Sequence, residues 1–263
     1  MAFKTIEFNV DSGVATLTLN RPDRLNCFNT EMHEEVRSAM KKVREDASIR
    51  CLLLTANGRG FCAGQDLSDR AVSADDSVPD LGESVEKNYN PLIESIMGLP
   101  KPVICAVNGV AAGAGASIAL ACDIVLAARS ASFIQVFCKI GLVPDSGGTC
   151  NLPRAVGLVR AKGLALLGDK LSADQAEAWG MIWRCVDDED LQHEAIKLAR
   201  HLATQPTRGL GMIKKLLRES SGNTLTEQLE LEKNAMRELG QSHDYREGVA
   251  AFMEKRPPVF KGE

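Results

Sequence analysis

Alternation and short apolar runs organise the first part of the chain. TIEFNV and VATLTL alternate apolar and polar residues on either side of Asp11-Ser12-Gly13, which predicts a two-stranded hairpin. RPDRLNCFN has no period and reads as a loop. Asn29 or Thr30 then caps a helix over about Glu31 to Arg44, whose apolar positions recur at helical spacing. CLLLT, VICAV and IVLAARS are apolar runs with many β-branched or aliphatic residues, the pattern of buried strands. Between them, Arg70 to Glu86 is acidic and polar without a period, and is expected to be a mobile flap over a pocket. A helix near Val85 to Met97 leads to the stiff connector Leu99-Pro100-Lys101-Pro102.

Beyond Arg154 the pattern turns helical. LVRAKGLALLG, SADQAEAWG with Ser172 as its cap, DLQHEAIKLARHLATQ, GLGMIKKLLRES, LTEQLELEKNAMREL and DYREGVAAFMEKR follow one another, broken mainly by a short strand around Ile182 to Val186. The expectation is an α/β core over residues 1–200 with a helical region over 201–263. Strand-then-helix units recur, but at no fixed period.

Composition narrows the class. A chain of 263 residues with 44% hydrophobic content can bury a substantial core. Its formal net charge of −4 argues against a nucleic-acid binder, which would carry a basic face. The longest apolar stretch, around Val103 to Ala128, is broken by Asn108, glycines and Asp123, so no membrane span is expected. MAFKTIEFNV has no signal-peptide pattern, and a cytoplasmic protein is expected. The eight cysteines contain no C-x-x-C pair and read as reduced, mostly buried small hydrophobes. His33, His193, His201 and His243 lie in segments with helical patterning, apart from the central stretch. Neither a metal site nor a Ser-His triad is expected.

Candidate chemistry gathers in Lys101 to Arg154 and one earlier loop. GFCAGQD and GVAAGAGAS are glycine-rich loops that each follow a buried strand. If those strands lie side by side, each loop offers a backbone N–H to the same oxygen, and such a donor is worth about 3–4 kcal/mol when charge develops there. A third element, Val143-Pro144-Asp145-Ser146-Gly147-Gly148, holds a carboxylate near Phe137, Ile140, Leu142 and Val143. Apolar neighbours would desolvate Asp145 and make it a better base. Its alternative role is the N-cap of a helix beginning at GGTCNLP.

With those motifs in view, the chain resembles the enoyl-CoA hydratase/isomerase (crotonase) superfamily. LNRPDRLNCFN, GRGFCAGQDL, KPVICAVNGVAAGAGASIALACDI, PDSGGT and AFMEKRPPVF carry the resemblance, in the family's order and across nearly the whole chain. It implies an α/β spiral of strand-strand-helix units with a C-terminal helical trimerisation region. It implies a homotrimer or a dimer of trimers, and an acyl-CoA thioester as substrate. Coenzyme A would enter only as part of that substrate, with no metal or other cofactor. The thioester oxygen would be held by the N–H groups of Gln65 and of Ala114, where the family usually has Gly.

Departures from the family pattern sort the chemistry. The two glutamates of the hydratases fall on Ser117 and Phe137, neither of which is an acid or base at neutral pH, so hydration is disfavoured. Asp145 matches the position of the acid/base carboxylate of dienoyl-CoA isomerases and of the nucleophilic carboxylate of chlorobenzoyl-CoA dehalogenases. CLLLTANGRGFCAGQDLSDR, KPVICAVNGVAAGAGAS and LARHLATQPT are most similar to the branch that isomerises the ring epoxide of phenylacetyl-CoA to an oxepin. Phe137 would then be an apolar wall for the ring. Resemblance also puts the pantetheine and adenine along Arg24, Leu25, Ala63, Asp66 and Leu67. Gly113 and Ser117 would border the acyl group, and Phe252 and Lys255 would reach the nucleotide from a neighbouring subunit. Arg24 and Lys255 read equally well as solvated charges, and Asp66 as a fixer of its loop.

Other classes fare worse. GVAAGAGASI fails the dinucleotide pattern because Ile118 occupies the third glycine position and IVLAARS ends in no acidic residue. Gly115-Ala116-Ser117-Ile118-Ala119 lacks the last glycine of a hydrolase elbow. A dehalogenase using Asp145 as nucleophile, a hydratase and a non-catalytic acyl-CoA binder remain the alternatives.

Overall fold

The hairpin forms as its alternation requires. In the computed structural model, which describes residues 3–70 and 80–263, β1 (Ile6–Asp11) and β2 (Val14–Leu19) pair antiparallel, with Asp11 opposite Val14. Asn29 caps α1 (Thr30–Glu45) by accepting a hydrogen bond from Met32 N at 2.9 Å. Met32, Val36, Ala39, Met40 and Val43 are the buried stripe of that helix.

From there the chain winds as a spiral whose turns each feed two sheets. β3 (Cys51–Ala56) joins the first sheet and β4 (Gly60–Cys62) the second, followed by α2 (Leu81–Ser84), a π-helical turn over Val85–Tyr89 and α3 (Asn90–Met97). β5 (Val103–Val107) and β6 (Val110–Ala112) repeat the split and lead into α4 (Ala114–Leu120). β7 (Ile124–Ala128) and β8 (Ser132–Ile134) repeat it again before α5 (Gly148–Val156) and α6 (Leu158–Leu167). β9 (Lys170–Ser172), α7 (Ala173–Ala178), β10 (Arg184–Val186) and α8 (Leu191–Ala203) complete the core.

The first sheet runs β1-β2-β3-β5-β7-β10 and the second β4-β6-β8-β9. All pairs are parallel except β1 with β2 and β8 with β9. Leu53, Ile104 and Ile124 occupy one row across three strands. Every residue of β3 and β5 is buried, as expected of parallel strands covered on both faces.

α9 (Thr207–Ser220), α10 (Leu225–Leu239) and α11 (His243–Glu254) form the C-terminal region. Lys214 of α9 donates to Asp123 Oδ2 at 2.6 Å and to the carbonyls of Lys101 and Ile96, fastening α9 to the spiral. No helix among the described residues is long and apolar enough to cross a membrane.

One expectation needs both a limit and a correction. The flap expected over Arg70 to Glu86 falls partly on residues 71–79, outside the described residues. Its end is helical: Asp80 caps α2 by accepting from Gly82 N and Glu83 N, and Val85 and Glu86 continue into the π-helical turn. Asp and Ser there serve as cap and helix residues, not as loop.

Candidate active site

The earlier glycine loop is held in place by a single-residue parallel bridge. Phe28 N donates to Gly64 O and Asp66 N donates to Phe28 O, both at 2.8 Å, so Phe28 pairs with Gln65. In that pattern Phe28 spends both its backbone groups on Gly64 and Asp66, and the Gln65 N–H points to the opposite side. Ala63 N donates to Leu25 O at 3.0 Å, tying the loop to the Arg24-Leu25 corner as well.

Asp66 locks the loop electrostatically. Its carboxylate accepts from Arg21 Nη2 at 2.9 Å, from Ser68 N at 3.1 Å and from Ser68 Oγ at 2.6 Å. The Ser68 hydroxyl, ahead of the Arg21 guanidinium, holds the carboxyl below its usual value of 3.8 despite burial. Asp66 is thus engaged as a loop fixer.

The second loop meets the first at Gly64. Gly64 has φ +92°, and a Cβ there would stand 3.1 Å from Ala112 O and 3.3 Å from Ala114 N. Gly115 lies against the other side of the same strand end: a Cβ on it would overlap the Cys62 carbonyl oxygen. Ala114 opens α4 after Gly113, whose φ is +54° and which supplies no side-chain cap. As a first-turn residue, Ala114 has no acceptor for its N–H within the helix. The Gln65 and Ala114 loops therefore meet at Gly64, with β4 and β6 paired side by side.

Ser117 and Phe137 both pack around Gly113. Ser117 is fully buried, and its Oγ donates to Gly113 O at 3.4 Å. Phe137 is also buried, with its ring edge within 4 Å of where a Gly113 Cβ would stand. Neither supplies a carboxylate.

Asp145 belongs to a turn that lies close to Ser117 and Ile93. Ser146 Oγ donates to Asp145 Oδ1 at 2.9 Å and Gly148 N to Asp145 O at 2.8 Å. A Cβ on Gly148 would stand 2.8 Å from Ser117 Oγ, and one on Gly147 would meet Ile93 Cγ2 at 3.5 Å. The N-cap alternative fails, because Gly147 occupies the cap of α5 and no side chain caps it. The expected apolar surround is also corrected. Ile140, Leu142 and Val143 are 53%, 38% and 76% exposed, and Asp145 itself is half-buried. Those residues lie on a 3-10 turn and its exit, where sequence neighbours do not share a face.

The remaining candidates divide. Leu25, with φ +48°, and Ala63 lie together through their hydrogen bond, while Arg24 and Leu67 are exposed on the rim. Phe252 and Lys255 are not brought to the loops. Phe252 is 79% exposed and lines a groove of about 710 Å³ with Tyr245, Val249 and Phe260, and Lys255 ends α11 in a left-handed conformation. Among the described residues no three His, Cys, Asp or Glu side chains group as a metal site.

Tyr89 lies in no motif of the sequence yet reaches the first loop. It is fully buried in the π-helical turn, and its hydroxyl donates to Gln65 Oε1 at 2.9 Å. The chain has only two tyrosines, and one on the inner face of a helix carries a hydroxyl that needs a polar partner.

The spiral of strand pairs split between two sheets defines a class of fold. Residues 9–263 match the enoyl-CoA hydratase/isomerase family model, and the chain belongs to that family. It is 61% identical over 255 residues, 97% of each chain, to the 1,2-epoxyphenylacetyl-CoA isomerase of Escherichia coli. It is 39% identical over the full length of both chains to the trans-2-decenoyl-[acyl-carrier-protein] isomerase of Streptococcus mutans. The crystal structure of an enoyl-CoA hydratase from Bacillus anthracis superimposes with a TM-score of 0.91 at 32% identity, covering 99% of this chain and all of that one.

Proposed function

We propose that this chain is an acyl-CoA isomerase that converts 1,2-epoxyphenylacetyl-CoA to the oxepin thioester in phenylacetate catabolism, and that it also shifts the double bond of an enoyl-CoA. The observation that carries the mechanism is the meeting of the Gln65 and Ala114 loops through Gly64, with Asp145 the carboxylate on the third loop. The name of the Escherichia coli relative, at 61% identity, supports the substrate.

In this reading the two amides hold the thioester oxygen and stabilise the enolate that forms on it. Asp145 takes a proton from the carbon next to the thioester and returns one further along the conjugated system. For the epoxide, the ring-fusion carbon–carbon bond breaks and the oxygen is taken into a seven-membered ring. Both reactions leave the substrate's mass unchanged. Gly113 and Ser117 border the acyl group, and Phe137 gives the ring an apolar wall. Ser117 and Phe137 offer no second carboxylate to hold a water, which supports isomerisation over hydration.

The thioester chain runs past Arg24, Leu25, Ala63, Asp66 and Leu67. Phe252 and Lys255 act from a neighbouring subunit of a homotrimer or dimer of trimers, a reading supported by their exposure away from the loops. Coenzyme A is needed only as part of the substrate. Unbridged thiols at all eight cysteines fit the reducing cytoplasm.

Single-turnover mass spectrometry with ultraviolet absorbance tests this, using enzymatically generated epoxyphenylacetyl-CoA and a 3-enoyl-CoA. The expected product has unchanged mass and a new absorbance, and Asp145→Asn loses turnover while still binding the thioester. Addition of water, an aspartyl-ester mass increment on the protein, or near-normal turnover in Asp145→Asn would overturn it.

A further inference from the structure

The helical stretch after residue 80 touches both halves of the site. Tyr89 ends the π-helical turn, and π-turns inside helices occur often at functional positions. Its hydroxyl donates to Gln65 Oε1 at 2.9 Å, while Gln65 Nε2 donates to Asp66 O at 3.3 Å, so the Gln65 side chain is held at both ends. Its ring stands edge-on to His33, with centroids 4.6 Å apart, and 6.2 Å from Phe28. Phe28 is the residue whose backbone fixes Gln65 through the parallel bridge. Backbone and side chain of Gln65 are therefore gripped by one aromatic cluster.

One helical turn on, at i+4 and so on the same helix face, Ile93 meets the other half. Its Cγ2 lies 3.5 Å from where a Gly147 Cβ would stand, two residues after Asp145. A hydrogen bond at Tyr89 and the approach of the Ile93 methyl to the Gly147 backbone set one helical stretch against both loops.

We propose that Tyr89 and Ile93 are positioning residues that set the span between the oxyanion-binding amides and Asp145. The inference rests on the proposed roles of Gln65, Ala114 and Asp145. Neither side chain performs chemistry. Tyr89 acts through Gln65, and Ile93 acts through the Asp145 turn.

Cinnamoyl-CoA separates the two arms, because its ultraviolet band moves to longer wavelength when its carbonyl is polarised. Tyr89→Phe keeps the ring and removes only the hydroxyl. It is expected to lower kcat about five- to tenfold, the worth of one hydrogen bond, with KM little changed and a smaller red shift of bound cinnamoyl-CoA. Ile93→Ala is expected to lower kcat while keeping the wild-type red shift. Gln65→Met should reproduce the loss seen in Tyr89→Phe, and the double variant should be no worse than either single one. A wild-type red shift and kcat in Tyr89→Phe, whatever its melting temperature, would overturn the inference, as would full activity in Ile93→Ala. If the wild-type protein itself gave no red shift, the amide reading would fail and this inference with it, an outcome distinct from failure in the variants alone.

Discussion

Adding one methyl group at Gly115 probes how tightly the amide pair is built. A Cβ there would overlap the Cys62 carbonyl oxygen and stand 2.8 Å from both the Cys62 carbonyl carbon and its Cβ. Carbon atoms in contact prefer about 3.5–4.0 Å, so α4 and the end of β4 must part by about 1 Å. Backbone lies on both sides, and no flexible side chain can turn away. Overpacking of this kind costs about 1–3 kcal/mol, and a misplacement of about 1 Å at a reacting centre costs about a hundredfold in rate. Gly115→Ala is therefore expected to lower kcat/KM about a hundredfold, and to lower the melting temperature by several degrees at about 2–4 °C per kcal/mol. The control is the same substitution at Gly163 in α6, where a Cβ meets nothing within 4 Å. Gly163→Ala should keep full activity and gain up to about 1 kcal/mol from helix propensity. Steady-state kinetics and thermal melts of both variants settle the matter. If Gly115→Ala melted like the wild type and kept its rate within twofold, the close approach of the two loops would be wrong.

Two further predictions concern the frame. Lys214→Met leaves Asp123, whose carboxyl burial already pushes above 3.8, without its cation. The pair is partly open to solvent, so the expected loss in denaturant melts at neutral pH is about 1.5–3 kcal/mol, the worth of a hydrogen bond to a charged group. Because the folded pKa lies above the unfolded one, the variant should recover part of that loss as pH falls through the raised value; an equal deficit at every pH would refute the reasoning. Glu247 is held at about 2, first by the Arg256 guanidinium and then by Val259 N. A depressed carboxylate stabilises above its unfolded value of 4.5 and stops doing so as pH falls toward about 2. Hydrogen exchange at Val259 should accelerate across that window relative to core amides, and no such change would count against the ion pair as the anchor of the tail.

Burial and local chemistry decide which parts of this architecture sequence alone discloses. The hairpin, a helix cap at Asn29 or Thr30 and the largely apolar, fully buried β3 and β5 are legible because each is settled by its own residues. β4, β6, β8 and β9 are three residues long, too short for any period, and exist only because the preceding turn of the spiral presents an edge. The repeat stays hidden for a related reason: Leu53, Ile104 and Ile124 share a row, yet are unevenly spaced along the chain. At the site, glycine marks where backbone must come close, so both loops stand out. Partners that act across the fold do not. Asp145 has apolar neighbours in sequence that turn outward in space, while Ile93 and Ser117, far off in sequence, flank its turn. Tyr89 looks like any buried helix residue until its hydroxyl is seen on Gln65. The proposed amide donors are the extreme case, since every residue but proline carries the same N–H. That is why Ala114 can serve as a donor under the proposed function, and why Gly64 and Gly115, whose close contacts bring the two loops together, are the residues to substitute first.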